Sequence, residues 1–316
     1  MPGTQPILVT GAGGGVGGVG RMVVEQLRAH GVPVRALVHH DDERAAALRA
    51  IGGVDVVVGD LTRGADVVAV LAGCHRAYFG MSVSPAYLEA AATVAAAARD
   101  QGDLQLLVNI SQMTVSQMDL SSVAESRQQR LHWLAEQVLN WSGLPVTHVR
   151  PTVFMENPLF AWVAVASIVR DGTIRLPFGS GRTSPVAAHD VAEVIARLLL
   201  APSPPIGRVY ELTGAESRDM KAIAAELSAA LGRPVTYVDV PYEEWLSDLE
   251  ELHLPPHVFD HIATMARLHR QNRYDRVTAD VADLLGRSPS AFGSFVREKA
   301  ALRDAEGLDP FGAGRP

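Results

Sequence analysis

The chain of 316 residues has one cysteine, Cys74. A single thiol cannot form an intrachain disulfide, and it cannot supply the several thiolates of a cysteine-based zinc site. Such a chain is typical of a reducing compartment, and we expect a cytoplasmic protein. Because 47% of its residues are hydrophobic, the chain can bury a substantial core, as one large domain or two closely joined ones.

Positive charge and long apolar runs are also scarce. The formal net charge is −7, from 28 Lys and Arg against 35 Asp and Glu, whereas proteins that hold nucleic acid neutralise its phosphates with excess basic residues. The N-terminus lacks the charged segment and long apolar stretch of a signal peptide or membrane anchor. We therefore expect neither a nucleic-acid partner nor membrane association. No motif in the sequence sets the oligomeric state.

The chain is organised around glycines near its N-terminus. The apolar run 7–9 predicts a buried strand, and Val23, Val24 and Leu27 fall on one face of a predicted helix. Between them, glycines allow a sharp turn and a close approach of the backbone to a pyrophosphate, which the positive N-terminus of the helix attracts. This strand, loop and helix predict a dinucleotide site.

The glycine pattern fits in two registers because Gly-Gly-Val is duplicated. G-x-x-G-x-x-G matches Gly11, Gly14 and Gly17, and it also matches Gly14, Gly17 and Gly20. The first register keeps a short distance from the strand, and the second places Gly20 on the apolar face of the helix. Because glycine is a poor helix former, we expect the additional residues to lengthen the loop, and deletion of 18–20 to be tolerated.

Apolar runs alternate with helical patterns along the chain, which predicts an α/β fold with a doubly wound parallel sheet and right-handed crossovers. We expect one domain over 1–155, with 185–213 returning to it, and a smaller, mainly helical substrate region over 156–184 and 214–306. Residues 307–316 are expected to be a flexible tail. The predicted strands are 7–9, 34–38, 54–58, 76–80, 104–110, 146–151, 185–186, 209–213 and 235–240. Other predictions are a helix at 160–170 and a loop at 179–184, and Asp190 is expected to cap the next helix.

The end of the second predicted strand bears on the choice between NADP and NAD. An acidic residue there would accept the ribose hydroxyls of NAD, and an arginine would pair with the additional phosphate of NADP. The chain has His39 and His40 followed by Asp41 and Asp42. Histidine can contact a phosphate, although the aspartates oppose one. The pattern favours NADP and leaves NAD open.

Five short motifs occur along the chain in a specific order and spacing. They are Thr10-Gly11-Ala12, Gly59-Asp60-Leu61, Ser142-Gly143-Leu144-Pro145, Arg150-Pro151-Thr152-Val153-Phe154-Met155-Glu156-Asn157 and Asp190-Val191-Ala192. Together they resemble the NmrA-like group of atypical short-chain dehydrogenases/reductases. The resemblance implies a Rossmann domain with NAD(P) over the sheet edge and a C-terminal region over the nicotinamide. It assigns cofactor contacts to Thr10, Gly11, Gly14, Gly17, His39, Asp60, Leu61, Gly80 and Met81, and Ser111 matches a serine or threonine after the fifth strand.

The resemblance also raises the question of catalysis. Typical short-chain dehydrogenases use Tyr-x-x-x-Lys, in which tyrosine supplies a proton and lysine lowers its pKa. Counting back from Ser142, Gln128 takes the tyrosine position and His132 the lysine position. Gln128, His132 and Glu136 share one helix face. We hypothesise that His132 contacts the cofactor and donates the proton, with Ser111 as the second catalytic candidate. The alternative is a half-buried histidine on an amphipathic helix.

These residues favour an NAD(P)H-dependent oxidoreductase that transfers hydride to a quinone-like or other conjugated aromatic acceptor, since such acceptors need little acid catalysis. The rival interpretation is a non-catalytic NAD(P)-binding redox sensor that acts through a protein partner. The residues expected to contact substrate are Met113, Phe154, Met155, Asn157 and Trp245, and Phe154 is also expected at the cofactor. No metal is expected, because His257 and His261 have helical spacing but no third ligand.

Overall fold

A computed structural model describes residues 5–14, 18–157, 168 and 171–297. The chain divides into two compact units. The first comprises Met1–Ser122, Arg127–Pro151 and Ala188–Leu212, and the second comprises Val123–Ser126, Thr152–Ala187 and Thr213–Pro316. The tail at 307–316 and the predicted helix at 160–170, except Ile168, lie outside the described residues.

Strands and helices alternate through the chain, and the strands of the described residues are numbered in chain order. They are β1 (Ile7–Val9), β2 (Val34–Val38), β3 (Val54–Val58), β4 (Arg76–Phe79), β5 (Leu106–Ile110), β6 (Val146–Pro151), β7 (Thr173–Leu176), β8 (Arg182–Thr183), β9 (Val209–Leu212), β10 (Arg218–Asp219) and β11 (Thr236–Asp239). The helices are α1 (Val19–Ala29), α2 (Glu43–Arg49), α3 (Gly64–Leu71), α4 (Tyr87–Gln101), α5 (Arg127–Trp141), α6 (Ala188–Leu200), α7 (Met220–Leu231), α8 (Tyr242–Glu250), α9 (Pro256–Arg270) and α10 (Asp280–Leu285). A 3-10 helix spans Met113–Gln117.

The first unit is built on a seven-stranded sheet in the order β3-β2-β1-β4-β5-β6-β9, and each pair of neighbours is parallel. The predicted doubly wound sheet is confirmed. Strands β1 and β5, on either side of the central β4, are short and mostly aliphatic, which is typical of parallel strands with helices on both faces. The order reverses between β1 and β4, which places a crevice at their carboxyl ends.

Small side chains let the helices approach the sheet closely. The core cluster combines alanines of α4 with Leu8 of β1, Leu107 of β5 and Leu139 of α5. On α1, the predicted apolar face is confirmed, because Val23, Val24 and Leu27 are each 0% exposed. None of the helices in the described part combines the length and the apolar character needed to cross a bilayer.

The second unit contains two short pairs of strands. β7 pairs with β11 in parallel, and β8 pairs with β10 in antiparallel orientation. The predicted strand near 235–240 is confirmed as β11, whereas the loop predicted at 179–184 was wrong in part because it includes β8. Strands β7 and β8 were missed because they are only four and two residues long. Thr-Ile-Arg-Leu of β7 alternates polar and apolar residues, but so short a pattern does not stand out in the sequence. Residue 186 forms an isolated bridge with Phe154.

The predicted cap of α6 was also wrong. The helix begins at Ala188, so that Asp190 lies inside the first turn and is 0% exposed. A carboxylate in this turn still faces the positive end of the helix dipole. Asp219, by contrast, caps α7, because its side chain accepts a hydrogen bond from the backbone N–H of Ala222 at 2.8 Å.

A buried histidine of the second unit lies between two aromatic rings. The His269 ring stacks on Phe178 at 4.2 Å and on Tyr274 at 3.9 Å between centroids. Its Nδ1 lies 2.7 Å from the carbonyl oxygen of Met265 and donates to it. Burial lowers the pKa of His269 to about 4. The ring is therefore neutral in the folded protein at neutral pH.

This histidine predicts a loss of stability in mild acid. Since its folded pKa of about 4 lies below the unfolded value of 6.5, the unfolded chain takes up the proton first as the pH falls. Stability is full above pH ~6.5 and declines towards pH ~4, by at most about 3 kcal/mol from this group. Denaturant unfolding at both pH values should show a weaker pH dependence in His269→Phe. The exposed control His40→Ala should keep the wild-type dependence, and an unchanged pH dependence in His269→Phe would contradict the assignment.

Candidate functional site

The loops after β1 and β4 are joined at the point where the strand order reverses. The Thr10 hydroxyl donates to the carbonyl oxygen of Gly80 at 2.9 Å and accepts from the N–H of Gly80 at 2.9 Å. The N–H of Thr10 also donates to the carbonyl oxygen of Tyr78 at 3.1 Å. One side chain thus holds together the two loops at which open α/β sheets bind ligands.

Two glycines around this junction have no room for a side chain. Gly11 has a φ of +66°, and a Cβ there would lie 2.5 Å from the carbonyl oxygen of Gly80. A Cβ on Gly20 would lie 2.6 Å from the carbonyl oxygen of Gly11. Gly20 therefore lets α1 pack directly against the backbone after β1, which is the role of the third glycine in a dinucleotide loop. Gly14 lies in the loop and donates its N–H to Gly11, and Gly17 lies outside the described residues.

Part of the duplicated segment, 15–17, lies outside the described residues, and the lengthening of the loop stays a prediction. Helix α1 begins at Val19, after Gly18 at a φ of 60°. The duplication also changes what a deletion can test. Removing 18–20 or removing 15–17 produces the same polypeptide, because both segments are Gly-Val-Gly. Such a deletion leaves a glycine in front of Arg21 in either case, so single substitutions are needed to identify the close-packing glycine.

At the end of β2, arginines already engage both aspartates. Asp41 pairs with Arg49 at 2.6 Å. Asp42 caps α2, accepting from the N–H of Arg44 and Ala45, and also pairs with the Arg44 guanidinium at 2.6 Å. These bonds lower the pKa of Asp42. The charges of Asp41 and Asp42, which would oppose the 2′-phosphate of NADP, are thus balanced by the neighbouring arginines.

The carboxyl end of β3 supplies the other predicted contact on the adenosine side. Asp60 accepts hydrogen bonds from the N–H and the hydroxyl of Thr62, both at 2.8 Å, and these bonds lower its pKa. The exposed His39 lies near it, with Nε2 3.9 Å from Asp60 Oδ2. Leu61 packs against the core cluster of the first unit. His39 and Asp60 are thus neighbours at one edge of the sheet.

On the other side of the crevice, β5 ends in buried polar groups. Ser111 is 5% exposed and donates its N–H to Val149 at 2.8 Å. Met113, in the 3-10 helix, is 0% exposed, and Met81 packs against the core cluster. Among the described residues, three buried atoms at this edge lack a hydrogen-bond partner: Ser111 Oγ, Gln112 Nε2 and Gln128 Nε2. Each costs about 1–3 kcal/mol if left unsatisfied, so this edge fits a polar ligand.

The start of α5 brings the predicted catalytic helix to the same edge. Gln128 Oε1 accepts a hydrogen bond from the N–H of Ser84 at 3.1 Å. The His132 ring lies 4.0 Å from the Tyr87 ring, and Tyr87 donates its hydroxyl to Ile110 at 3.0 Å. The contact of Tyr87 with His132 was not predicted, because an aromatic residue at the start of an alanine-rich helix has no pattern that indicates a function.

Glu136, on the same helix face, pairs with a residue of β6, and a contact of this face with the cofactor stays a prediction. Its carboxylate is 1% exposed and forms two bonds to the Arg150 guanidinium of β6, at 3.0 and 2.5 Å. One turn later, Asn140 accepts from His148 Nε2 at 3.0 Å. Burial lowers the pKa of His148, which keeps this ring neutral. These contacts hold the helix face against β6, so that only its first turns reach the sheet edge.

The remaining predicted substrate residues belong to the second unit. Met155 donates its N–H to Val186 at 3.0 Å, is 3% exposed, and borders a cavity that Arg218 and Phe292 also line. Asn157 donates its N–H to the carbonyl oxygen of Phe154 at 3.0 Å. Trp245 is 1% exposed and lies in the interior of this unit. Their assignment to substrate stays a prediction.

One histidine of the pair on α9, His261, forms a hydrogen bond with a serine. His261 Nδ1 lies 3.0 Å from the hydroxyl of Ser126, within the second unit. Burial lowers the pKa of His261 to about 4. No group of three potential metal ligands occurs among the residues that the structure describes.

Comparison with known proteins points to one cofactor class. A family model described as NAD(P)H-binding matches residues 14–202. The chain is 28% identical over 291 residues to the NAD(P)H azoreductase of Xenophilus azovorans, covering 91% of this chain and 96% of that protein. It is 32% identical over 295 residues to the (4-alkanoyl-5-oxo-2,5-dihydrofuran-3-yl)methyl phosphate reductase of Streptomyces griseus, covering 93% and 98%.

Solved structures share the fold. The NADPH-dependent quinone oxidoreductase of Escherichia coli, in complex with NADPH, aligns with a TM-score of 0.80 at 24% identity, over 92% of this chain and 99% of that one. The negative transcriptional regulator NmrA, in complex with NADP, aligns with a TM-score of 0.77 at 20% identity, over 97% and 99%.

The glycine contact predicts the effect of one methyl group. Gly20→Ala should lower the free energy of unfolding by about 1–3 kcal/mol and weaken NADPH binding, because the added Cβ meets the Gly11 backbone. Chemical denaturation and fluorescence titration with NADPH measure both effects. The control Gly64→Ala, at an exposed first position of α3 with no atom within 4 Å of the added Cβ, should be neutral or slightly stabilising. Equal behaviour of the two variants would contradict the close contact.

Proposed function

The chain belongs to the NAD(P)H-binding family. On this premise we propose that it is an NmrA-like oxidoreductase that transfers hydride to a quinone-like or other conjugated aromatic acceptor. The observation that carries this proposal is the sheet edge at the strand reversal. At this edge are two glycines without room for a side chain, Gly11 and Gly20, and three buried polar atoms that lack partners among the described residues. The azoreductase relative supports a conjugated acceptor.

Each part of the edge has a separate task when NAD(P)H is bound. The cofactor supplies the hydride. The N-terminus of α1 and the loop before it bind the pyrophosphate, since their N–H groups and the helix dipole favour negative charge. Thr10 holds Gly80 beside Gly11 and so fixes the edge along which the cofactor lies. Ser111 and His132, on the far side of the crevice, contact the nicotinamide end.

The chemistry left to the protein is modest. Neither the tyrosine nor the lysine of typical short-chain dehydrogenases is present at positions 128 and 132. A quinone or an azo compound is already electrophilic, so proximity and exclusion of water supply most of the acceleration, and water provides the proton. A simple ketone, which needs a strong acid, fits the site less well.

We propose NADPH as the preferred cofactor. Arg49 and Arg44 engage Asp41 and Asp42, so neither carboxylate is left to repel a 2′-phosphate or to bind the ribose hydroxyls of NADH. The exposed His39 stands at the end of β2 with its ring near Asp60. It takes the position at which an arginine would contact the phosphate, and it does so with a weaker cationic group.

A second candidate function is a redox sensor that binds NAD(P) without turnover and acts through a protein partner. The residues at 128 and 132 favour it, because they remove the usual acid and its partner. The regulator NmrA also has this fold, although shared fold does not determine function. The two candidates differ in whether bound cofactor is consumed.

A turnover assay separates the reductase from the redox sensor. The protein should oxidise NADPH steadily with a panel of naphthoquinones, azo compounds and cationic triphenylmethane dyes. His132→Ala should lower kcat by about 10-fold, since a hydrogen bond lost at the reacting end costs about 1 kcal/mol or more. The control His75→Ala, which removes a histidine just before β4 at the opposite edge, should retain wild-type rates. Tight NADPH binding without turnover of any acceptor would contradict the reductase function and support the redox sensor.

Cofactor choice is tested at one position. His39→Arg should tighten NADPH binding by about 10-fold and leave NADH binding unchanged, because a guanidinium forms a stronger, two-pronged contact with phosphate. His39→Ala should weaken NADPH binding alone. Isothermal titration with both cofactors gives the ratio, and equal effects on NADPH and NADH would show that residue 39 does not meet the 2′-phosphate.

A further inference from the structure

Gln128 is a buried amide with only one of its two ends engaged in the described part of the chain. The side chain is 3% exposed. Its oxygen accepts the N–H of Ser84, in the loop after β4, at 3.1 Å. Its nitrogen Nε2 is buried and has no hydrogen-bond partner among the described residues. The bond to Ser84 also settles the amide orientation, because only the oxygen can accept a backbone N–H.

The position of this donor in the fold is defined by three elements of the first unit. Helix α5 follows β5 in the chain and begins at the carboxyl edge of the sheet, with Gln128 in its first turn. Ser84 follows β4, whose carboxyl end holds the Thr10 and Gly80 junction. Ser111, at the end of β5, has a buried hydroxyl that also lacks a partner in the described residues. Two buried polar atoms without a partner in the described part, Gln128 Nε2 and Ser111 Oγ, thus lie at the carboxyl edge, where the proposed function places the nicotinamide.

We propose that Gln128 is a catalytic residue whose Nε2–H donates a hydrogen bond to the oxygen that becomes negative when a conjugated carbonyl acceptor is reduced. This inference rests on the proposed function and narrows its substrate class. An amide donor held in place before the reaction stabilises a developing oxyanion without giving up its proton. It therefore favours quinones and related unsaturated carbonyl compounds over cationic dyes.

The atoms and electrons transferred in the reaction show why quinones and cationic dyes differ in their need for this donor. With a quinone, the C4–H bond of the reduced nicotinamide breaks, and the hydride and both its electrons pass to the quinone. The product is oxidised cofactor and a hydroquinone mono-anion, whose oxygen accepts the Nε2–H bond until a proton from water completes the hydroquinone. A triphenylmethane cation takes the same hydride at its central carbon and becomes neutral. No oxyanion forms and no proton is taken up, so the amide donor has nothing to stabilise.

Gln128→Glu is the sharpest test, because glutamate keeps the oxygen that accepts from Ser84 and replaces only the donor. With NADPH at pH 8, kcat for 1,4-naphthoquinone should fall about 100-fold. The kcat for malachite green and the Kd of NADPH should change by less than about 3-fold. The matched control is Gln137→Glu, the same substitution on a partly exposed position of α5; it should behave like wild type with both acceptors.

The pH profile separates a donor from a merely structural side chain. Near pH 5, the glutamate of the variant becomes a carboxylic acid that donates through its O–H, so the ratio of quinone to dye turnover should rise as the pH falls. The wild-type ratio should stay flat. Equal losses with both acceptors, or a rise in the NADPH Kd that accounts for the loss, would overturn the role of Gln128.

The wild-type protein distinguishes this failure from failure of the proposed function. Turnover of malachite green without turnover of the quinone would leave the reductase standing and overturn the carbonyl preference. Turnover of neither acceptor, with NADPH bound, would overturn both.

Discussion

The site depends on the contact between two loops that leave the sheet where its strand order reverses. The Thr10 hydroxyl both donates to and accepts from Gly80, while Gly11 and Gly20 bring the backbones after β1 and within α1 into direct contact. These bonds are buried, so they exchange poorly with water and hold the edge in one geometry. Three of the predicted cofactor contacts, Thr10, Gly11 and Gly80, belong to this junction.

The far side of the crevice follows a different principle. Helix α5 is fixed by the pair of the buried Glu136 with Arg150 and by the bond of Asn140 to the buried His148, which occupy the turns beyond the edge. Its first turns then carry Gln128 and His132 in place of a stronger acid and its cationic partner. Rigid placement without strong acid catalysis suits acceptors that are electrophilic before they bind. The same helix that the sheet holds firmly thus limits the range of chemistry.

Much of the fold was predictable because its elements are short and strongly patterned. Strands β1, β2, β3 and β6 match the predicted bounds, since each is a run rich in aliphatic or β-branched residues. The elements that failed have no such run: β7 and β8 in the second unit, and the start of α6, which precedes Asp190. The glycine loop could also be predicted from the sequence, because the spacing of glycines between a strand and a helix has a known physical role in binding a pyrophosphate.

The sequence by itself determined the parallel sheet, the dinucleotide loop and the absence of the usual tyrosine and lysine. Those features reside in local periodicity and in residue identity. Only the tertiary structure decided which glycine packs against the strand, that Glu136 pairs with Arg150, and that Gln128 bonds to Ser84. The physical reason is that these contacts join different elements of the fold: the Glu136 and Arg150 pair spans 14 residues, the Gln128 and Ser84 bond 44, and the Thr10 and Gly80 bond 70. Contacts of that kind leave no local pattern, and they arise only when the crossovers bring the strand ends together.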